Sequence, residues 1–253
     1  MENSPLRLGH RGHRCTDWGE TENTLAAFDR ALACGCDGLE LDLRHTLDGQ
    51  VVIHHDDSLR FRGQMLQVSA HALASLRRLH PGLATLEQAL RRYRDYAWCD
   101  FELKTLEAAA PAVELLRRHA PRRGFVVSCF EPPILRRVAE LGPELPLCLN
   151  LKRPCSLRRL RAAEVSWVAP NEASCTAWYV RWLRAHGWKV LIWTVNRPAR
   201  MRLLARAGAD AIVSDLPEVL VAVLSEQNRA TCVPSAASAC GDEKRSGGSS
   251  SPN

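Results

Sequence analysis

Ionisable residues fall together in a few short segments of this chain. Gly9-His10-Arg11-Gly12 sets a histidine and an arginine between glycines, and Glu22-Asn23-Thr24 opens a helix pattern shortly after it. Glu40-Leu41-Asp42 and Glu102-Leu103-Lys104 each carry two ionisable groups at i and i+2, the spacing that sends both to one side of a strand. Three carboxylates brought together repel one another unless a hard cation lies among them. Oxygen-only ligands favour Mg²⁺ or Ca²⁺ over zinc. Singly, each segment has an ordinary explanation: a structural histidine beside glycine, the solvated face of an edge strand, a surface ion pair. Their joint occurrence at strand ends points to a site.

The elements that must position these groups follow from the apolar pattern. Strand-like runs occur at Leu6–Gly9, Gly38–Leu43, Val51–His54, Ala97–Leu103, Phe125–Cys129, Leu145–Leu149, Val165–Ala169, Val190–Val195 and Ala211–Ser214. Helical patterns at Asn23–Cys34, Ala84–Arg94, Ala109–His119, Pro133–Leu141, Thr176–His186 and Pro198–Ala207 separate most of them. This alternation predicts an α/β chain, a parallel TIM (β/α)8 barrel with helices outside, whose catalytic groups gather at the carboxyl ends of the strands. The spare strand is explained by Asp48-Gly49, a two-residue hairpin signal. A turn on those two residues sets Asp42 opposite His55 and Glu40 opposite Asp57; a slip of one residue would set His54 there instead. The short stretch from Asp57 to Leu83 is expected to form a small cap.

Composition sets the outer limits. The 253 residues are 46% hydrophobic and 25% charged, which excludes a disordered, collagen-like or coiled-coil protein. The formal charge is +6, and arginine pairs such as Arg77-Arg78, Arg117-Arg118 and Arg158-Arg159 read as scattered, without the concentrated patch of a nucleic-acid binder. Ten cysteines show no C-x-x-C pair, the N-terminus has no apolar leader pattern, and no apolar run approaches a membrane span. The expectation is reduced thiols in a cytoplasmic protein without stable membrane insertion. Residues 1–224 read as one domain and 225–253, rich in Ser, Ala and Gly, as a disordered tail.

In order and spacing, His10-Arg11-Gly12, Glu22-Asn23-Thr24-Leu25-Ala26-Ala27-Phe28, Gly38-Leu39-Glu40-Leu41-Asp42, Thr46-Leu47-Asp48-Gly49 and Val51-Val52-Ile53-His54-His55-Asp56 resemble the glycerophosphodiester phosphodiesterase family. Phe101-Glu102-Leu103-Lys104, Trp193-Thr194-Val195-Asn196 and Gly208-Ala209-Asp210 through Ser214-Asp215-Leu216-Pro217 resemble its later signatures. The resemblance implies a TIM-barrel hydrolase that uses a divalent metal, Mg²⁺ or Ca²⁺, to cleave small glycerophosphodiesters to glycerol 3-phosphate and an alcohol. It implies His10 and His55 as the acid–base pair and Glu40, Asp42 and Glu102 as metal ligands. It further implies Arg11 and Lys104 on phosphate oxygens and Glu22 and Asn23 beside the site. Trp193, at a strand end, is expected to line the glycerol pocket. Thr21 replaces the family's usual Pro, Cys129 a Ser and Ser214 a Thr, none of them a proposed ligand or proton carrier. The alternatives are a lysophospholipase D on the same scaffold and a non-catalytic phosphodiester-binding protein. The expected assembly is a monomer or homodimer.

Overall fold

The computed structural model describes residues 4–14, 22–61 and 63–231. In chain order the elements are β1 (Leu6–His10), α1 (Leu25–Ala33), β2 (Gly38–His45), β3 (Val51–Ile53), β4 (Ser58–Phe61), β5 (Gln64–Gln67), α2 (Leu73–Leu79), α3 (Leu86–Tyr93), β6 (Trp98–Leu103), α4 (Ala109–His119) and β7 (Phe125–Cys129). They continue with α5 (Pro132–Leu141), β8 (Leu147–Leu151), α6 (Leu157–Ala162), β9 (Trp167–Pro170), α7 (Ala177–Ala185), β10 (Lys189–Ile192), α8 (Pro198–Arg206), β11 (Ala211–Ser214) and α9 (Pro217–Thr231). Strands β1, β2, β6, β7, β8, β9, β10 and β11 pair in parallel, and β1 contacts both β2 and β11, so the sheet closes into an eight-stranded barrel. The spare ninth strand is β3, antiparallel to β2.

Strand alternation sorts the side chains into two layers. Along β2, Leu39, Leu41 and Leu43 are fully buried in the layer between sheet and helices, while Glu40 and Asp42 alternate with them. On β6, Cys99, Phe101 and Leu103 join the same outer layer, and Trp98, Asp100 and Glu102 alternate with them. The inner layer is apolar low in the barrel, where Leu8, Trp98, Val126, Cys148, Trp167, Leu191, Ala211 and Val213 pack together. Above it the lining becomes ionic. Parallel pairing sets Glu40 beside Asp100 and Asp42 beside Glu102, so the acidic residues of β2 and β6 lie at matching heights. Gly38 permits this close pairing: a β-carbon there would fall 1.9 Å from the Trp98 carbonyl oxygen.

Two expectations need correction. The β2–β3 register pairs Leu43 with Ile53 and His45 with Val51, and Thr46 N–H donates to the Gln50 carbonyl, so the connection holds three residues rather than two. Gly49 takes the left-handed conformation (φ 76°) that such a loop needs at its last position. Asp42 therefore lies opposite His54, whose N–H donates to the Asp42 carbonyl at 2.9 Å, and not opposite His55. The small cap expected after β3 is present and contains the antiparallel pair β4–β5 and helix α2, with Val52, Leu59, Val68, Leu76 and Leu83 packed beneath. Second, α9 continues past Leu224 to Thr231, so Ser225–Thr231 is helix rather than the beginning of a tail. The remainder of the expected tail, 232–253, lies outside the described residues, as does Thr21.

Helix α6 lies outside the expected helices; Ser156 caps it, accepting from the Arg159 N–H at 3.4 Å. The seven described cysteines are all free, and no described helix is long and apolar enough to cross a membrane.

Candidate active site

The carboxyl ends of the strands open into a cavity of about 760 Å³ whose lining includes His10, Arg11, His55, Glu102, Lys104 and Trp193. His10 ends β1, and the chain then turns sharply. Arg11 has φ 55°, Gly12 has φ 85°, and a β-carbon on Gly12 would sit 2.6 Å from the Ala27 carbonyl carbon. Only glycine fits so close an approach to α1. The turn aims the Arg11 N–H at Glu40 Oε2, 3.0 Å away, and brings its guanidinium Nε 3.1 Å from Asp42 Oδ2. Arg11 Nη1 also donates to Glu22 Oε1 at 2.5 Å, and Arg14 Nε lies 2.6 Å from Glu22 Oε2.

Glu40, Asp42 and Glu102 can each offer a carboxylate oxygen within 4.8 Å of the others. Their charges are balanced unequally. Asp42 accepts from Asn23 Nδ2 at 2.8 Å and lies 2.9 Å from Lys104 Nζ, which also contacts Glu102. Burial pushes Asp42 up, but Lys104, Arg11 and the Asn23 hydrogen bond outweigh it and hold the carboxyl below its ordinary value. Glu40 goes the other way: burial, then the charges of Asp42, Glu102 and Asp100, drive its carboxyl well above the usual range. Burial likewise raises Glu102. Buried Glu40 Oε1 has no hydrogen-bond partner among the described residues. An unpartnered buried carboxylate oxygen, beside two more carboxylates, fits a hard divalent cation. One layer lower, burial pushes Asp100 up to about 7 despite a hydrogen bond with Ser128.

The histidines reach the cavity by different routes. His10 Nδ1 lies 2.6 Å from Asp215 Oδ1, which leaves Nε2 on the other side of the ring, 3.9 Å from Glu40 Oε2. Asp215 follows β11; Asn196 Nδ2 donates to its Oδ2 at 2.7 Å and Arg14 Nη1 to its Oδ1 at 3.0 Å. Burial pushes the Asp215 carboxyl up, but the hydrogen bonds from His10, Asn196 and Arg14 prevail and hold it far below the usual carboxylate range. His55 lies past the end of β3, where its carbonyl accepts from Arg44 Nε at 2.9 Å and its Nδ1 meets Asp56 Oδ1 at 2.8 Å. Burial lowers the His55 imidazole below its ordinary value, with Asp42 opposing. His54 sits apart, its Nε2 3.3 Å from the Ser58 carbonyl and its ring near His80. The strand ends at Ile53, so the pairing register no longer governs which histidine enters the cavity.

Trp193 lines the cavity, its Nε1–H donating to the Ala169 carbonyl at 2.8 Å and its ring edge-on to Phe130. Asn23 and Glu22 lie behind the lining: Asn23 is buried and occupied with Asp42, and Glu22 ties Arg11 to Arg14. Asp215, Asn196, Arg14 and Arg44 were not picked out as site residues from sequence. The available signal was position, since Asn196 follows β10 and Asp215 follows β11 at the mouth.

The model of the glycerophosphoryl diester phosphodiesterase family matches residues 10–116 and 95–219. A glycerophosphodiester phosphodiesterase of Bacillus subtilis is 26% identical over 85% of this chain and 86% of its own. One of Caldanaerobacter subterraneus is 28% identical over 85% of this chain and 96% of its own. A phosphodiesterase of Oleispira antarctica, solved in complex with the product sn-glycerol-3-phosphate, superposes with a TM-score of 0.78 at 27% identity, covering 88% of this chain and 97% of that one.

Proposed function

The chain belongs to the glycerophosphoryl diester phosphodiesterase family, and from that premise we propose how its residues share the work. It is an enzyme, a phosphodiesterase that hydrolyses glycerophosphodiesters. Glu40, Asp42 and Glu102 are the residues that would hold a divalent metal, with Mg²⁺ or Ca²⁺ the ions suited to an all-oxygen set. When bound, such an ion neutralises charge on a phosphoryl oxygen. Arg11 and Lys104, both on the cavity wall, hold the remaining phosphate oxygens as negative charge builds on them.

His55, with its imidazole lowered by burial, is neutral near pH 7 and takes the proton from the attacking hydroxyl, whether water's or the substrate's own glycerol hydroxyl. His10, fixed through Nδ1 by ionised Asp215, presents Nε2 to give a proton to the departing alkoxide. Asn23 and Glu22 position Asp42 and Arg11 rather than touching substrate. Trp193 offers an apolar wall for the glycerol carbons. The seven free cysteines among the described residues support a reducing compartment, the cytoplasm.

One observation carries this reading: two histidines line the same cavity as Glu102, which clusters with Glu40 and its unpartnered buried oxygen. The test is release of glycerol 3-phosphate from a panel of glycerophosphodiesters and lysophospholipids with Mg²⁺, Ca²⁺ or chelator. Turnover of the small diesters is expected with metal. Turnover of lysophospholipids alone would replace this reading with the lysophospholipase D alternative.

A further inference from the structure

The positive charge of this protein is not scattered once it is placed on the fold. Residues 152–206 hold twelve Lys and Arg against two Asp and Glu, whereas the rest of the chain holds 22 against 26. That segment supplies α6, α7 and α8, consecutive helices along one wall of the barrel. Part of the charge is internally balanced: Arg184 pairs with Asp210, Arg197 and Arg200 with Glu172, and Arg202 with Glu226. Arg158, Arg159, Arg161, Arg181 and Arg206 are exposed and make no ion pair among the described residues.

The same wall exposes aromatic surface. Helix α7 buries Tyr179, Val180 and Leu183 and exposes Trp178 and, at its C-cap, His186, with Trp182 between them half-buried against the core. Trp178 is 67% exposed and stacks on Trp182 at 6.3 Å, and Trp182 meets the His186 ring at 4.4 Å. Nearby on α8, Leu203 is 42% exposed. Trp178 lies in the first turn of α7, and barrel helices begin at the end where the strands finish. This aromatic surface therefore starts at the cavity rim, where Lys152 lines the cavity itself.

We propose that the α6–α7–α8 wall is a peripheral docking surface for an anionic phospholipid bilayer, with Trp178 as its interfacial anchor. Unpaired arginines are drawn to the negative surface potential of an anionic leaflet. Tryptophan prefers the level of the headgroups, where its ring is half in apolar surroundings. No described helix spans a membrane, so the contact is one of lying on the surface. A single-stranded nucleic acid would use aromatic faces for base stacking. Here, of the α7 tryptophans, Trp178 alone is freely exposed, while Trp182 is half-buried and stacked on buried Tyr179, so the wall offers one anchoring ring rather than a run of open faces, which favours the lipid surface. This inference does not depend on the catalytic reading.

The experiment is cosedimentation of the full chain with phosphatidylcholine vesicles made with and without phosphatidylglycerol. Binding is expected only to the anionic vesicles, with release at high salt and a blue shift of tryptophan emission on binding. Trp178→Ser is expected to weaken it at least about fivefold, and the double variant Arg158→Glu/Arg159→Glu at least about tenfold. Both variants should hydrolyse a soluble diester like the parent, which also shows that they are folded. Absence of vesicle binding overturns the proposal, as does binding that either variant leaves unchanged. Binding of an RNA homopolymer in place of vesicles, lost in the same variants, would also overturn it in favour of a nucleic-acid surface.

Discussion

Asp215→Asn isolates the group that holds His10. The carboxylate accepts from Nδ1 at 2.6 Å, and it stays ionised because Asn196 and Arg14 hydrogen-bond to it as well. Asparagine keeps the shape and one accepting oxygen but removes the negative charge, so the imidazolium, which must carry a proton on both ring nitrogens to donate from Nε2, loses the anion that stabilises it. A hydrogen bond to a charged group contributes about 1.5–3 kcal/mol, which at ~1.4 kcal/mol per tenfold predicts a kcat lower by about 10- to 150-fold. KM should change little, because Asp215 does not line the cavity. The assay compares two substrates, one with an alkyl alcohol as leaving group and one with a p-nitrophenol. The second leaves without a proton, so a defect in delivering one should shrink markedly for it. A variant within about threefold of the parent on the alkyl substrate would refute the argument. So would an equal loss on both substrates, which would mark Asp215 as structural.

Three further outcomes are expected. His10→Ala and His55→Ala should each lower kcat at least ~10²-fold, the scale of a positioned acid or base. His54→Ala, whose ring contacts the Ser58 carbonyl, should do far less, and an equally dead His54 variant would assign the wrong histidine. Exhaustive chelation should abolish turnover and Mg²⁺ or Ca²⁺ should restore it; undiminished turnover in chelator would remove the metal from the mechanism. Asp100 is raised from 3.8 to about 7, so in metal-free protein its contribution is full below about pH 3.8 and lost as pH rises through about 7. Asp100→Asn should therefore raise the melting temperature at about pH 8 and not at about pH 4, measured by thermal denaturation in chelator.

The barrel was legible because the strand and helix periods differ and alternate along the whole chain. The carboxylates of β2 and β6 were legible because i,i+2 spacing survives whatever the strand packs against. Two parts of the site were not. The hairpin register turned on whether Asp48-Gly49 made a two-residue or a three-residue loop, and sequence does not separate these when Gly is the last residue in either. His55 still reached the cavity, because the strand stops at Ile53 and the chain bends there. Asp215 was hidden for another reason: its partner His10 is 205 residues away, and local spacing carries no trace of that contact. The charge imbalance of residues 152–206 is contiguous in sequence and was legible there as a count, but that it falls on one wall follows only from the barrel, which sets its three helices side by side.

The His10–Asp215 contact makes hydrolysis a report on ring closure. The first strand carries the imidazole and the last strand precedes its carboxylate, and these strands meet only when the barrel shuts. A chain emerging from the ribosome displays its acidic cluster long before Asp215 has been synthesised. Until β11 docks, the histidine lacks the carboxylate that fixes its ring, so chains without that contact would turn diesters over at best at the reduced rate expected of Asp215→Asn. Contacts this distant in sequence also form slowly, because a long loop must close before they contribute. Gain of turnover during refolding would thus time the last event of assembly, where a far-ultraviolet signal would time the first.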